Sequence, residues 1–136
     1  MTEQPLILVV DDDPDFIELS RLALERAGYR VVGAGSPAEA LKAVAAERPA
    51  LIISDLMMNS TDAGFLFARR IKEDAALRDI PVVIVSAIAN RMGFDLRPAD
   101  EHDLSSMRAE AFLRKPVAAA TLASTVGKLL AERRAP

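Results

Sequence analysis

The chain contains no cysteine. That excludes a disulfide framework, a zinc–thiolate site and thiol catalysis. Aromatic residues make up only 4% of the 136 positions, so the core must be built from aliphatic side chains. A basic excess is also missing. The formal net charge is -3 and the pI about 5.2, which argues against direct nucleic-acid binding. The longest apolar runs fall far short of the roughly 20 residues that a membrane-spanning helix needs. The segment from Met1 to Pro5 has neither the basic start nor the apolar stretch of a secretory signal. The cytoplasm is therefore the expected compartment. The single histidine, His102, reads as a solvated residue.

What the sequence does have is a strict alternation of two periods. Leu6 to Val10 is a short, continuous apolar run, the pattern of a strand buried on both faces. Asp13-Pro14 then reads as an N-cap followed by proline at the first helical position. Phe16, Ile17, Leu19, Leu22, Ala23 and Leu24 form an apolar stripe, and Gly28 stops the helix. Tyr29 to Ala34 reads as a second strand, and Ser36-Pro37 starts a second helix. Leu51 to Ile53 is a third buried strand that stops at Ser54-Asp55. The spacing predicts a helix from about Asp62 to Asp74 that buries Phe65, Ala68 and Ile71. Pro81 to Val85 is a fourth strand ending at Ser86. A polar helix is expected from Ala99 to Glu110, a fifth strand from Ala111 to Leu113, and a last helix from about Ala118 to Arg133.

Five strand–helix units in alternation imply an α/β fold with a parallel sheet covered by helices on both faces. Right-handed crossovers leave few topologies, and a flavodoxin-like strand order of 2-1-3-4-5 is expected. The chain reads as a single domain over residues 1–136, with an ordered core from about 5 to 131 and no output domain.

In such a sheet, ligands bind outside the carboxyl ends of the strands. Strand one ends in Asp11-Asp12-Asp13, strand three in Asp55, strand four in Ser86 and strand five in Lys115. Adjacent strands would bring these ends into one site of carboxylates, a hydroxyl and an amine. Close carboxylates repel unless a cation or protons relieve them. Oxygen ligands without histidine or cysteine favour Mg2+. A lysine and a hydroxyl beside a divalent ion suit phosphoryl transfer, which depends on positioning and charge neutralisation. Asp13, next to Pro14, reads as a helix cap.

These motifs together resemble the receiver domain of two-component response regulators, the stand-alone chemotaxis type in particular. The matching residues are Val9-Val10-Asp11-Asp12, Asp55 after Leu51-Ile52-Ile53-Ser54, Ser86-Ala87, and Phe112-Leu113-Arg114-Lys115-Pro116. The resemblance spans essentially the whole chain. It implies that Asp55 is the phosphoacceptor and that Asp12, Asp55 and the backbone carbonyl of Met57 contact Mg2+, with Asp11 acting through water. It further implies that Lys115 contacts the phosphoryl group, that Ser86 moves toward it after transfer, and that Phe112 is the aromatic switch. A cis bond is implied between Lys115 and Pro116. The expected donor is a sensor histidine kinase or a phosphotransfer protein, and the expected reader is a downstream protein. The face formed by the fourth helix, fifth strand and last helix is a candidate for pairing two copies of the chain.

Two departures from the family pattern stand out. The loop after Asp55 runs Met57-Met58-Asn59-Ser60-Thr61-Asp62 and lacks the usual proline. Ser86 and Lys115 are separated by 29 positions, several more than usual, with the excess between Asn90 and Ser106. In the family, polar residues two after the phosphoacceptor and two after the switch hydroxyl help place the hydrolytic water. Here they are Met57 and Ile88, so slow self-dephosphorylation is expected. Two other readings stay open at this point. One is a phosphohydrolase of the haloacid dehalogenase type with Asp11 as nucleophile, suggested by Leu8-Val9-Val10-Asp11-Asp12-Asp13, although a final acidic motif is missing. The other is a degenerate receiver that works as an interaction module. On the favoured reading the protein is no enzyme beyond its own phosphorylation and dephosphorylation.

Overall fold

The computed structural model describes residues 4–55, 63–86 and 109–134, with side chains described for 4–55, 66–86 and 109–132. The elements are β1 (Leu6–Val10), α1 (Pro14–Arg26), β2 (Arg30–Ala34), α2 (Pro37–Ala46), β3 (Leu51–Asp55), α3 (Ala63–Glu73), β4 (Val82–Ser86), β5 (Ala111–Arg114) and α4 (Ala119–Arg134). The strands form one parallel sheet in the order β2-β1-β3-β4-β5, as the alternation of strand and helix predicted.

The continuous apolar runs have a direct structural cause. Successive strand residues point to opposite faces of a sheet, and both faces here are covered. Leu8, Val10, Ile52, Val82 and Ile84 pack on one face with Ala40 and Val44 of α2 and Phe67, Ala68 and Ile71 of α3. Ile7, Val9, Leu51, Ile53, Val83 and Val85 pack on the other with Leu24 of α1 and Leu122, Val126 and Leu130 of α4. Each fully buried aliphatic side chain contributes roughly 1.5–3 kcal/mol relative to exposure.

The helix starts follow from local chemistry. The Asp13 carboxylate accepts a hydrogen bond from Asp15 N at 3.0 Å, and Pro14 occupies the first turn. The Ser36 hydroxyl accepts from Glu39 N at 3.2 Å, while the Glu39 carboxylate accepts from Gly35 N at 2.7 Å. The Asp15 and Glu39 amides are among those that a helix leaves without internal partners. Gly28 ends the turn after α1 at φ +99, a conformation costly for other residues.

The differences from the sequence reading are local. In α3, Phe67 is buried alongside Ala68 and Ile71; the side chain of Phe65, expected to be buried, lies outside the described residues. β3 runs on through Ser54 and Asp55, because both pair with β4. The helix expected from Ala99, with His102, lies outside the described residues except for Ala109 and Glu110, which are not helical. The expected pairing face depends on that helix and is therefore undescribed in part. Among the described residues, no helix is long and apolar enough to cross a membrane.

Candidate functional site

Parallel strands that all run the same way bring their carboxyl ends to one edge of the sheet. Asp11 directly follows β1, and its backbone N–H donates to Ala34 O at 3.0 Å, extending the β1–β2 pairing by one residue. This fixes the Asp11 side chain at the site, fully buried. One Asp11 oxygen, Oδ1, accepts from Asp13 N at 2.9 Å, and the other, Oδ2, accepts from Lys115 Nζ at 2.7 Å. Asp55 is the last residue of β3, and its Oδ2 lies 3.4 Å from the same ammonium. Asp12 is exposed. Carboxylate oxygens of Asp11, Asp12 and Asp55, one from each, lie within 4.8 Å of one another.

Lys115 reaches this cluster from the far end of the sheet. β5 pairs with β4 through Ser86 and Arg114, and Lys115 N donates to Ser86 O at 2.9 Å just beyond that pair. The next peptide bond, Lys115-Pro116, is cis, as the family resemblance implied. The Lys115 ammonium sits 4.5 Å from the centroid of the Phe16 ring. A cavity of about 420 Å³ opens beside them between α1 and α4, lined in part by Phe16, Ser20, Lys115 and Leu122.

The electrostatics follow from burial. Desolvation pushes the Asp11 carboxyl above the ordinary carboxylate value, and the Asp12 charge adds a smaller push in the same direction. The hydrogen bonds from Lys115 and from the Asp13 amide oppose this but do not reverse it. Among the described residues, three carboxylates gather around one ammonium. The cluster's donors are all oxygen, the set that suits a hard divalent cation such as Mg2+.

The structure thus brings together Asp11, Asp12, Asp55 and Lys115, with Ser86 half-buried at the adjoining end of β4. Met57 and Ile88 lie outside the described residues. Phe112, the expected aromatic switch, is 42% exposed. The cause is the edge position of β5. Its alternate residues Ala111 and Leu113 pack under α4, so Phe112 points to the other face.

Two features carry no signal that the sequence reading used. The first is the placement of Phe16 against Lys115. The second is a buried ion pair at the opposite edge of the sheet. Lys72 is 3% exposed and donates to Glu110 Oε1 at 2.9 Å, Glu110 Oε2 at 3.0 Å, Ile80 O at 2.8 Å and Arg78 O at 3.2 Å. Glu110 Oε1 also accepts from Val82 N at 2.8 Å. The available signal was spacing: Lys72 lies four residues after Ala68 and one after Ile71, on the core face of its helix.

A five-stranded parallel sheet with an acidic cluster and a lysine at its carboxyl edge defines a receiver. The chain belongs to the response regulator receiver domain family, whose model matches residues 7–127. It is 33% identical over 136 residues to the response regulator Rre1 of Synechocystis sp., covering 99% of this chain and 55% of that protein. It is 27% identical to the polar-differentiation response regulator DivK of Brucella anthropi, covering 93% and 96% respectively. The crystal structure of the signal receiver domain of a signal transduction histidine kinase from Syntrophus aciditrophicus superposes with a TM-score of 0.82 at 31% identity, covering 97% of this chain and 94% of that one. The chain spans about half the length of the first two relatives it matches, Rre1 and a transcriptional regulator of the same organism. The family is one of phosphorylation-dependent signalling switches in two-component systems rather than of enzymes acting on separate substrates.

Proposed function

We propose that the protein is a switch turned on by phosphorylation of Asp55. The observation that carries this reading is the Lys115 ammonium set between Asp11 and Asp55 beside the three-carboxylate cluster. The donor is a phosphohistidine on a sensor kinase or a phosphotransfer protein. An Asp55 carboxylate oxygen attacks phosphorus, the new P–O bond forms as the P–N bond breaks, and the departing imidazole nitrogen takes a proton. Lys115 shifts from Asp11 toward the phosphoryl oxygens and offsets their charge. Asp12, Asp55 and the Met57 carbonyl would hold Mg2+, with Asp11 acting through water. The ion, when bound, neutralises phosphoryl charge and orients its oxygens.

The Ser86 hydroxyl moves toward the new phosphoryl group, and Phe112 follows on the neighbouring strand. Output is then a shift between two surface populations, read by another protein in the cytoplasm. Met57 and Ile88 are apolar at the two positions where the family carries polar residues that help place the hydrolytic water, so the signal is long-lived. Family membership and geometry both favour Asp55 over Asp11 as nucleophile. The Asp11 side chain is fully buried, whereas that of Asp55 is 10% exposed.

The test is intact-mass analysis after incubation with acetyl phosphate, with and without Mg2+. A Mg2+-dependent gain of one phosphoryl group on wild type, lost in Asp55→Asn, is expected. An adduct that survives Asp55→Asn and disappears in Asp11→Asn would overturn the assignment.

A further inference from the structure

Phe16 lies on the α1 face next to the phosphoacceptor site, and nothing in the chemistry described so far uses it. Its ring centroid is 4.5 Å from Lys115 Nζ, inside the range at which an aromatic face attracts a cation. The Lys115 side chain is only 18% exposed, and this attraction strengthens as water is removed. The ring is also fixed. It is partly buried against the core beneath α1 and α4, and it lies within the capped first turn, where Ile17 N donates to Asp13 O.

We propose that Phe16 is a positioning residue for phosphoryl transfer: its ring holds the Lys115 ammonium over the site while the ammonium exchanges Asp11 for the incoming phosphoryl group. This rests on the reading of Asp55 as phosphoacceptor. In the resting protein the ammonium is tied to Asp11 Oδ2 at 2.7 Å, closer than to Asp55 Oδ2 at 3.4 Å. Transfer requires that bond to loosen. A carboxylate could hold the lysine only by competing with the phosphoryl oxygens for its protons. A ring face attracts the charge with little directional demand, so the ammonium can swing toward phosphorus without losing its anchor. Leucine at this position would fill much of the same apolar space but has no ring quadrupole to offer.

The experiment compares phosphorylation rates with acetyl phosphate and saturating Mg2+, a donor too small to involve any docking surface. The variants are Phe16→Leu, Phe16→Tyr and wild-type chain carrying 4-fluoro-, 3,5-difluoro- or 3,4,5-trifluorophenylalanine at position 16. Fluorination drains the ring face while keeping its shape. Phe16→Leu is expected to slow phosphorylation about three- to tenfold. Phe16→Tyr should stay near wild type, and the fluorinated series should slow in step with fluorine count. In parallel, NMR should show upfield-shifted Lys115 ε-methylene protons in wild type, with the shift lost in Phe16→Leu. A flat fluorine series, or unshifted Lys115 protons in wild type, overturns the proposal while leaving the Asp55 assignment intact. A wild type that takes no phosphoryl group removes the Asp55 assignment, and this inference with it.

Discussion

Lys72→Met is the most informative stability perturbation in this fold. Lys72 is 3% exposed, so its charge is held by protein groups: both oxygens of Glu110 and the carbonyls of Arg78 and Ile80. Removing one partner of a buried pair typically costs about 3–5 kcal/mol, because the other charge is stranded. Here the loss should fall near about 3 kcal/mol, since the Glu110 side chain keeps 25% exposure and its bond from Val82 N. For a domain of this size that is roughly a 10 °C fall in Tm. Glu110→Gln leaves an oxygen for Val82 N and should cost only about 1–2 kcal/mol. The double variant Lys72→Met/Glu110→Gln strands no charge, so the two losses should fall short of additivity by about 1 kcal/mol or more. Urea unfolding of the full cycle measures this. The exposed pair Arg69–Glu73 is the control, and Arg69→Ala should change stability by no more than about 0.5 kcal/mol. The reasoning fails if Lys72→Met costs less than about 1 kcal/mol, or if the cycle is additive within about 0.3 kcal/mol.

Three other predictions concern the site and its surroundings. Burial raises the Asp11 carboxyl above its ordinary value, so folded Asp11 keeps a proton that the unfolded chain has already lost. Stability of the Mg2+-free protein should therefore decline as pH rises from the ordinary carboxylate value through the raised one. Asp11→Asn should remove that part of the slope in urea titrations from pH 4 to 7, and identical slopes would contradict it. Met57→Asn with Ile88→Glu should shorten the lifetime of the phosphorylated protein, followed by mass spectrometry after donor removal; an unchanged lifetime counts against the dephosphorylation account. The Ser20 hydroxyl is buried in α1 without a hydrogen-bond partner among the described residues. Ser20→Ala should thus hold or raise stability, and a loss above about 1 kcal/mol would show that the hydroxyl is satisfied.

The three central strands were legible because burial on both faces leaves continuous aliphatic runs, as in Leu6 to Val10 and Val82 to Val85. The first two helix starts were legible because Asp13-Pro14 and Ser36-Pro37 satisfy free amides with side chains close in sequence. The site residues could be named because a parallel sheet turns strand ends into neighbours, whatever lies between them. What escaped was contact across elements. Nothing in Phe16 itself distinguishes a ring that packs on the core from one that also faces an ammonium 99 positions away. The partner of Lys72 likewise depends on β5 starting at Ala111, which sets where Glu110 lies. The exposure of Phe112 follows from the edge position of its strand, which the residue's own identity does not reveal.

The bond between Lys115 and Asp11 joins residues 104 positions apart, and that with Asp55 joins residues 60 apart. No short stretch of chain can assemble this arrangement alone. A molecule still emerging from the ribosome, or one clipped before its fifth strand, carries Asp55 but lacks the lysine that stands beside it. The acid–ammonium cluster therefore exists only in molecules whose fifth strand is in place, and its presence reports a completed fold.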